Sequence, residues 1–157
     1  MYELKDGKGY IKQYNFFGQL CFEGEYLNGE RNGKGKEYDF DKIIFEGEYL
    51  NGKRNGEGKE YNYESRIIFE GEYLNGKRNG KGIEYDDENK LIFKGEFING
   101  EKNGNGKEYD FDGKLIFDGN YLNGQRWNGI EREYVNGDIL ECEIQYVEGK
   151  ILEYVLV

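Results

Sequence analysis

The stretch Phe69–Tyr85 reads FEGEYLNGKRNGKGIEY, and it decides the fold because versions of it recur along the chain. Residues 45–61 repeat it with two changes. Looser copies begin at Phe22, Phe93 and Phe117. The spacing from one copy to the next is 23 or 24 residues. A fixed period of this length indicates a repeat architecture, in which each unit buries its apolar side chains against its neighbours.

Each copy alternates as a β-strand does. In residues 91–98, Phe93, Gly95 and Phe97 fall on one face, and the other face mixes charged residues with Ile. Asn99-Gly100 then favours a type I′ hairpin turn, which needs positive φ at both central residues. Because Asn103-Gly104 follows four residues later, the loop is either two or six residues long.

Two glycines alternate in each return strand, as Gly104 and Gly106 do, and they indicate that a neighbouring ring lies across them. A lone hairpin is barely stable in water, so successive hairpins must pair. The sequence therefore predicts an all-β fold, an elongated single-sheet solenoid of stacked antiparallel β-hairpins with a period of about 24 residues.

The length of 157 residues suits one repeat domain, residues 1–157. Its predicted parts are an N-terminal cap or partial repeat at 1–21, repeats at 22–44, 45–68, 69–92, 93–116 and 117–141, and a degenerate C-terminal cap at 142–157. The repeat alignment predicts that Trp127 is inserted in the last loop and that Glu131 replaces the second glycine of the return strand. The apolar tail Ile151–Val157 is either a covered cap or an interface.

The charge of the chain limits the classes of partner that can be expected. With 22 Lys and Arg against 32 Asp and Glu, the net charge is −10. Such a surface repels phosphates, so no nucleic acid is expected, and an anionic membrane is disfavoured. A basic protein or peptide is the partner that this charge attracts. Cys21 and Cys142 read as small buried side chains, and without a disulfide framework or signal pattern the expected location is the cytoplasm.

The residue inventory argues against catalysis. The chain has no His and a single Ser, Ser65, so a Ser or Cys nucleophile with a His base is excluded. Its carboxylates recur once per repeat, so each has the same environment, whereas a catalytic pair needs two different ones. Asp110–Gly113 resembles part of a calcium loop but lacks the spaced ligands. No catalytic residue, metal site or cofactor is expected.

The aromatic rows are the candidate binding site. The rings either pack on one another and on the glycines, or leave a groove for an apolar segment of a partner. The candidate groove residues are Phe22, Tyr26, Phe45, Tyr49, Phe69, Tyr73, Phe93, Phe97, Phe117, Tyr121 and Trp127. A row of cations is expected along the loop edge, formed by Arg31, Arg54, Arg78, Lys102 and Arg126.

The phrase resembles the MORN (membrane occupation and recognition nexus) repeat, whose pattern is aromatic-x-Gly-Glu-aromatic-x-Asn-Gly-Lys-x-His-Gly-x-Gly. The match covers four full copies from Phe22 to about Lys114. It is a variant, with Asn-Gly for His-Gly and Tyr or Phe for Trp. The resemblance implies a hairpin solenoid that serves as a scaffold and holds a partner segment in its groove. Some members are described as membrane tethers, and some bacterial relatives resemble toxin-neutralising immunity proteins.

The expected function is therefore a non-enzymatic scaffold that binds a protein or peptide segment along the aromatic groove. A toxin-neutralising immunity protein is the first alternative and a membrane-tethering module the second. Homo-association through the apolar C-terminal edge is a further option.

Overall fold

The computed structural model describes residues 7–136 and 139–157, and the elements within them are all strands. They are β1 (Lys8–Tyr14), β2 (Leu20–Leu27), β3 (Glu30–Asp39), β4 (Lys42–Leu50), β5 (Lys53–Tyr61), β6 (Ile67–Leu74), β7 (Lys77–Tyr85), β8 (Leu91–Ile98), β9 (Glu101–Tyr109), β10 (Leu115–Leu122), β11 (Gln125–Val135), β12 (Ile139–Val147) and β13 (Lys150–Leu156). The first six residues of the predicted N-terminal cap, Met1–Asp6, lie outside the described residues.

The chain forms two units, residues 1–78 and 79–157. In the first, each strand from β1 to β6 pairs antiparallel with the next. In the second, the same holds from β7 to β13. The predicted all-β class and the stacked antiparallel hairpins are confirmed.

The hairpin turns have the shorter of the two lengths that the sequence left open. Asn51 and Gly52 have φ values of 49° and 78°, the two positive angles of a type I′ turn. The amide of Gly52 also donates to the carbonyl of Arg31 at 2.9 Å, which ties this turn to the hairpin before it. Arg54 therefore belongs to a strand and not to a loop.

The second Asn-Gly pair forms a β-bulge inside the return strand in the copies that begin at Phe22, Phe45 and Phe93. Arg54 lies opposite Tyr49 and Gly58 opposite Gly47, so residues 55–57 face one residue of β4. Gly56 has a φ of +102°, an angle that glycine adopts readily. The bulge places Gly58, and not Gly56, opposite Gly47.

The reading of Trp127 as an insertion is wrong. Arg126 lies opposite Tyr121, and Gly129 lies opposite Gly119. Only Trp127 and Asn128 lie between Arg126 and Gly129, whereas β5 has three residues, 55–57, at the equivalent place. Gly129 is the second glycine, and Glu131 lies opposite Phe117 as Glu60 lies opposite Phe45. Trp127 thus replaces the bulge's Asn-Gly pair, because one residue has been lost.

The C-terminal strand β13 pairs with β12 and exposes apolar side chains. Cys142 and Ile144, which the sequence aligns with the Phe and Gly of the repeat, are both buried, but it is Ile144 that lies opposite Glu131, as Phe69 lies opposite Glu60. Beyond them Leu152, Tyr154 and Leu156 are 66 %, 62 % and 81 % exposed. An apolar strand with this exposure favours association with another chain, which stays a prediction.

Candidate functional site

The two ring rows form the core of the protein. The five Phe residues of the first row are 0 % exposed, and the members of the second row are 2–6 % exposed. In the first unit, the ring of Phe45 meets those of Tyr49 and Tyr73 edge to face, with centroids 5.8 Å and 5.1 Å apart. In the second, Phe93 meets Phe97 and Tyr121 at 5.4 Å and 5.3 Å. Contacts of this geometry stabilise aromatic pairs beyond their burial.

Each Phe ring covers glycines, as the sequence predicts, but only the second of the two expected glycines in the return strand, together with one on the ring's own strand. A Cβ built on Gly58 would lie 2.5 Å from the Phe45 ring and 3.1 Å from the Tyr73 ring. A Cβ on Gly47 would lie 2.7 Å from the same Phe45 ring. The first glycine of the return strand, Gly56, lies instead against the side chain of Glu48.

A cation lies over each Phe ring, so the expected position of the cation row at the loop edge is wrong. The guanidinium carbon of Arg54 lies 3.9 Å from the Phe45 centroid. The other members repeat this contact, as Arg31 over Phe22, Arg78 over Phe69, Lys102 over Phe93 and Arg126 over Phe117. A Phe ring with its flanking rings, its glycines and its covering cation is called an aromatic box below.

A row of carboxylates binds these cations, and the sequence analysis missed it. Glu60 accepts from the Tyr73 hydroxyl at 2.7 Å and from the Nη2 of Arg78 at 2.6 Å. The full row is Glu37, Glu60, Glu84, Glu108 and Glu131. Its signal is the Glu before Tyr that ends most return strands, opposite the Phe row.

Burial and ion pairing act oppositely on these carboxylates. Burial raises the pKa of Glu60, but the hydrogen bonds from Arg78 and Tyr73 and the charges of Arg78 and Arg54 outweigh it and hold the pKa below its usual range. The pKa of Glu108 is lowered in the same way, chiefly by Arg126 against the effect of burial. Burial, with the hydrogen bond to Glu60, raises the pKa of Tyr73. These groups are fixed in one protonation state near neutral pH.

The outer layer over the predicted groove is therefore made of Arg and Glu and not of rings. The side chains of Arg54 and Glu60 are 23 % and 21 % exposed, whereas the rings beneath them are buried. Trp127 is half-buried, outside the ring rows, and packs beside Gly149. A role of the ring rows and of Trp127 in binding stays a prediction.

The opposite face carries paired charges. Lys36 lies 3.5 Å from Glu46, and Lys59 lies 3.3 Å from Glu70. Glu48 instead accepts from the backbone amide of Glu57 in the bulge, at 3.3 Å. Most of these side chains are solvated, and exposed pairs of this kind contribute little to stability.

Exposed rings lie in the turns that join one repeat to the next. The exposed fractions are 99 % for Phe16, 84 % for Phe17, 73 % for Phe40, 63 % for Tyr63 and 70 % for Phe111. Large apolar side chains with this exposure contribute nothing to the core. They are the part of the aromatic content that a partner can reach.

The sequence model of the MORN repeat matches residues 22–42, 45–62, 69–89 and 93–114. A comparison with curated proteins gives no match. No helix capable of spanning a membrane is present in residues 7–136 and 139–157. MORN repeats are commonly protein-binding or membrane-binding modules, and the family is not known as an enzyme family. With four matched copies covering more than half of its length, and with the hairpins described above, this chain belongs to the MORN repeat family.

Proposed function

We propose that the protein is a non-enzymatic scaffold that holds a segment of a partner protein. The observation that carries the proposal is the division of its aromatic residues into two classes. The rings of the two core rows are at most 6 % exposed, whereas Phe16, Phe17, Phe40 and Phe111 are at least 70 % exposed. The second class lies outside the buried core, and exposed apolar groups of this kind mark interaction surfaces.

The partner segment is proposed to run along the face that carries the ring rows. The rings shape this face from below, and the alternating Arg and Glu side chains present charged groups to the partner. Arg31, Glu37, Arg54, Glu60 and Arg78 form such a series in the first unit. A segment with charges of both signs at matching intervals suits this surface.

Photo-crosslinking tests this placement. A benzoylphenylalanine at Arg31 lies on the ring-row face, and one at Lys34 is the matched control on the opposite face. In lysate of the source cells, we expect the Arg31 probe to label one protein reproducibly and the Lys34 probe to leave it unlabelled. Labelling from Lys34 alone would place the partner on the other face. No labelled protein from either probe would contradict the scaffold proposal.

An immunity protein is a second candidate, and the distribution of charge favours it. Residues 79–157 hold 9 Lys and Arg against 17 Asp and Glu, a net charge of −8, which suits a cationic target. The test is co-expression with a cationic protein encoded by a neighbouring gene. Rescue of growth supports this role, and the absence of a harmful neighbour opposes it.

Flotation with anionic vesicles tests the membrane tether, which the net negative charge of the chain disfavours.

A further inference from the structure

The tripeptide Asp-Phe-Asp occurs twice in the chain, once in each unit, and both copies lie in turns between repeats. They are residues 39–41 and residues 110–112. Phe40 is 73 % exposed and Phe111 is 70 % exposed, so both rings face solvent beside carboxylates. Neither ring takes part in an aromatic box.

The first copy keeps its ring in an unfavourable backbone conformation. Phe40 and Asp41 have φ values of 45° and 61°, in the left-handed region that bulky side chains avoid. The hairpin turns use Asn-Gly for the same pair of angles, as Asn51 and Gly52 do. Asn or Gly would adopt these angles at lower cost than Phe, so the conformation of the turn does not account for a phenyl ring at position 40.

The second copy holds its ring in a different turn. An oxygen of Asp110 accepts from the amides of Asp112 and Lys114 at 2.9 Å and 2.8 Å, and Gly113 supplies the positive φ. The same ring and carboxylates are therefore presented by two unrelated backbone conformations. What the two copies share is the exposed side-chain chemistry and not the fold of the turn.

The core of the protein shows what a ring beside a carboxylate binds here. Arg54 lies 3.9 Å over the Phe45 ring while its guanidinium pairs with Glu37 at 2.9 Å, and the other boxes repeat this arrangement. In the Asp-Phe-Asp turns the rings are exposed, and so are the second carboxylates of the two copies, those of Asp41 and Asp112. Asp39 accepts only the Tyr63 hydroxyl, at 3.1 Å, and no ion pair joins Asp39 or Asp41 to a cation within residues 7–136 and 139–157.

We infer that the two Asp-Phe-Asp turns are docking points for arginine side chains of a basic partner segment. The guanidinium stacks on the phenyl ring, and the flanking carboxylates neutralise its charge. The net charge of −10 favours the approach of such a segment. The inference rests on the proposed function in that it assumes a protein partner, but it places the contact at the turns between repeats.

The probe is a fluorescein-labelled peptide of four Arg-Gly-Ser units, measured by fluorescence polarisation with the full chain. Matched peptides carry Lys or citrulline in place of Arg. We expect the Arg peptide to bind most tightly, the Lys peptide more weakly, and the neutral citrulline peptide not at all. Equal binding of the Arg and Lys peptides would overturn the stacking contact.

Variants of the protein separate the contributions of the rings and of the charges to peptide binding from any effect on folding. Phe40→Asn combined with Phe111→Ser removes both rings, and we expect roughly tenfold weaker binding of the Arg peptide. Because Asn suits the left-handed turn, the thermal midpoint should stay the same or rise. A fall in the midpoint would show that the rings serve folding, which overturns the inference.

Two control variants complete the experiment. Phe16→Ser removes a ring that has no flanking carboxylate and should leave binding unchanged. Glu30→Gln combined with Glu101→Gln removes two exposed charges at the opposite turns, and a loss equal to that of the ring variant would reduce the effect to net charge. If the ring variant binds the peptide as the wild type does while photo-crosslinking still succeeds, the inference fails and the scaffold proposal stands.

Discussion

The two units differ in charge much more than in core. Residues 1–78 hold 13 Lys and Arg against 15 Asp and Glu, a net charge of −2, whereas residues 79–157 hold 9 against 17, a net charge of −8. The aromatic boxes inside them are built alike, with a cation 3.9 Å from the centroid of Phe45, 4.1 Å from that of Phe93 and 4.8 Å from that of Phe117. The difference shows that the acidity is a property of the surface, which can vary while the boxes stay constant.

The hydrogen bonds around the boxes are less complete in the second unit. Tyr49 and Tyr73 donate to Glu37 and Glu60 at 2.6 Å and 2.7 Å. In the second unit Phe97 has no hydroxyl to donate, and the buried hydroxyl of Tyr121 lies near Glu108 but without the well-aligned hydrogen bond that Tyr49 and Tyr73 make, within the described part of the chain. The first unit is therefore expected to depend more strongly on its polar row.

The largest expected effect tests whether the boxes are equivalent in the two units. A Cβ on Gly47 would lie 2.6 Å from the carbonyl oxygen of Glu57, and one on Gly95 2.6 Å from that of Asn105. Gly47→Val and Gly95→Val should each lower the free energy of unfolding by about 3 kcal/mol or more, as measured by urea denaturation.

The control is Gly52→Asn, in an open turn position where Asn tolerates the positive φ. Valine is the better strand former, so with adequate space both variants would gain stability. A gain in either unit would contradict the packing of rings over glycine.

The second prediction concerns Cys142 and Ile144, which replace the Phe and the Gly of the repeat in the sequence. Both side chains are buried, and Ile144 lies opposite Glu131, where a regular copy has its Phe ring, so a second large side chain at position 142 would crowd Ile144. Cys142→Phe alone should cost about 1–3 kcal/mol. Adding Ile144→Gly should recover most of the loss, and a double-mutant cycle measures the coupling. Additive effects would show that the two positions do not share one space.

Much of the hairpin was predictable because its signals are local. Asn51-Gly52 marks a turn through the backbone angles that it favours, and the alternation of Phe and Tyr marks a strand face. The bulge was not predictable, because Gly56 and Gly58 both fit a place opposite Gly47 and only the paired strand decides between them.

The candidate site was less predictable than the fold. The cation row was expected at the loop edge because the loop length was open, and a two-residue turn moves Arg54 into a strand opposite Tyr49. Its carboxylate, Glu37, is 17 positions away in the sequence. Burial of the rings follows from this long-range pairing, which a repeat pattern alone does not reveal.

The third prediction uses pH to compare the carboxylate rows. The folded pKa of Glu60 lies below its unfolded value of about 4.3, so its stabilisation is present above that pH and is lost as the pH falls through the folded pKa. Glu60→Gln should cost about 2 kcal/mol at pH 7. The difference from the wild type should shrink at lower pH, because the wild type loses the same interaction.

In the second unit, Glu108→Gln should lower the free energy of unfolding by less than Glu60→Gln does. One of the two cations that pair with Glu108 is a lysine, Lys102, and not an arginine. Glu30→Gln, at an exposed position, serves as the control and should change the free energy of unfolding by much less. A pH-independent gap between Glu60→Gln and the wild type would mean that the charge of Glu60 contributes nothing.

The smallest effect is expected from removing one tyrosine hydroxyl in the first unit and adding one at the equivalent position in the second. Phe97 stands in the repeat where Tyr73 donates to Glu60, and Glu84 stands where Glu60 does. Tyr73→Phe should lower the free energy of unfolding by about 1 kcal/mol, because a partly buried carboxylate loses a donor. Phe97→Tyr should raise it by a similar or smaller amount, because the new hydroxyl reaches a charged acceptor. Tyr26→Phe is the control, since no hydrogen bond to the Tyr26 hydroxyl is present in the described chain. If Phe97→Tyr destabilises while Tyr73→Phe behaves as expected, the second unit packs its boxes too tightly for the hydroxyl, and the two cores are not equivalent.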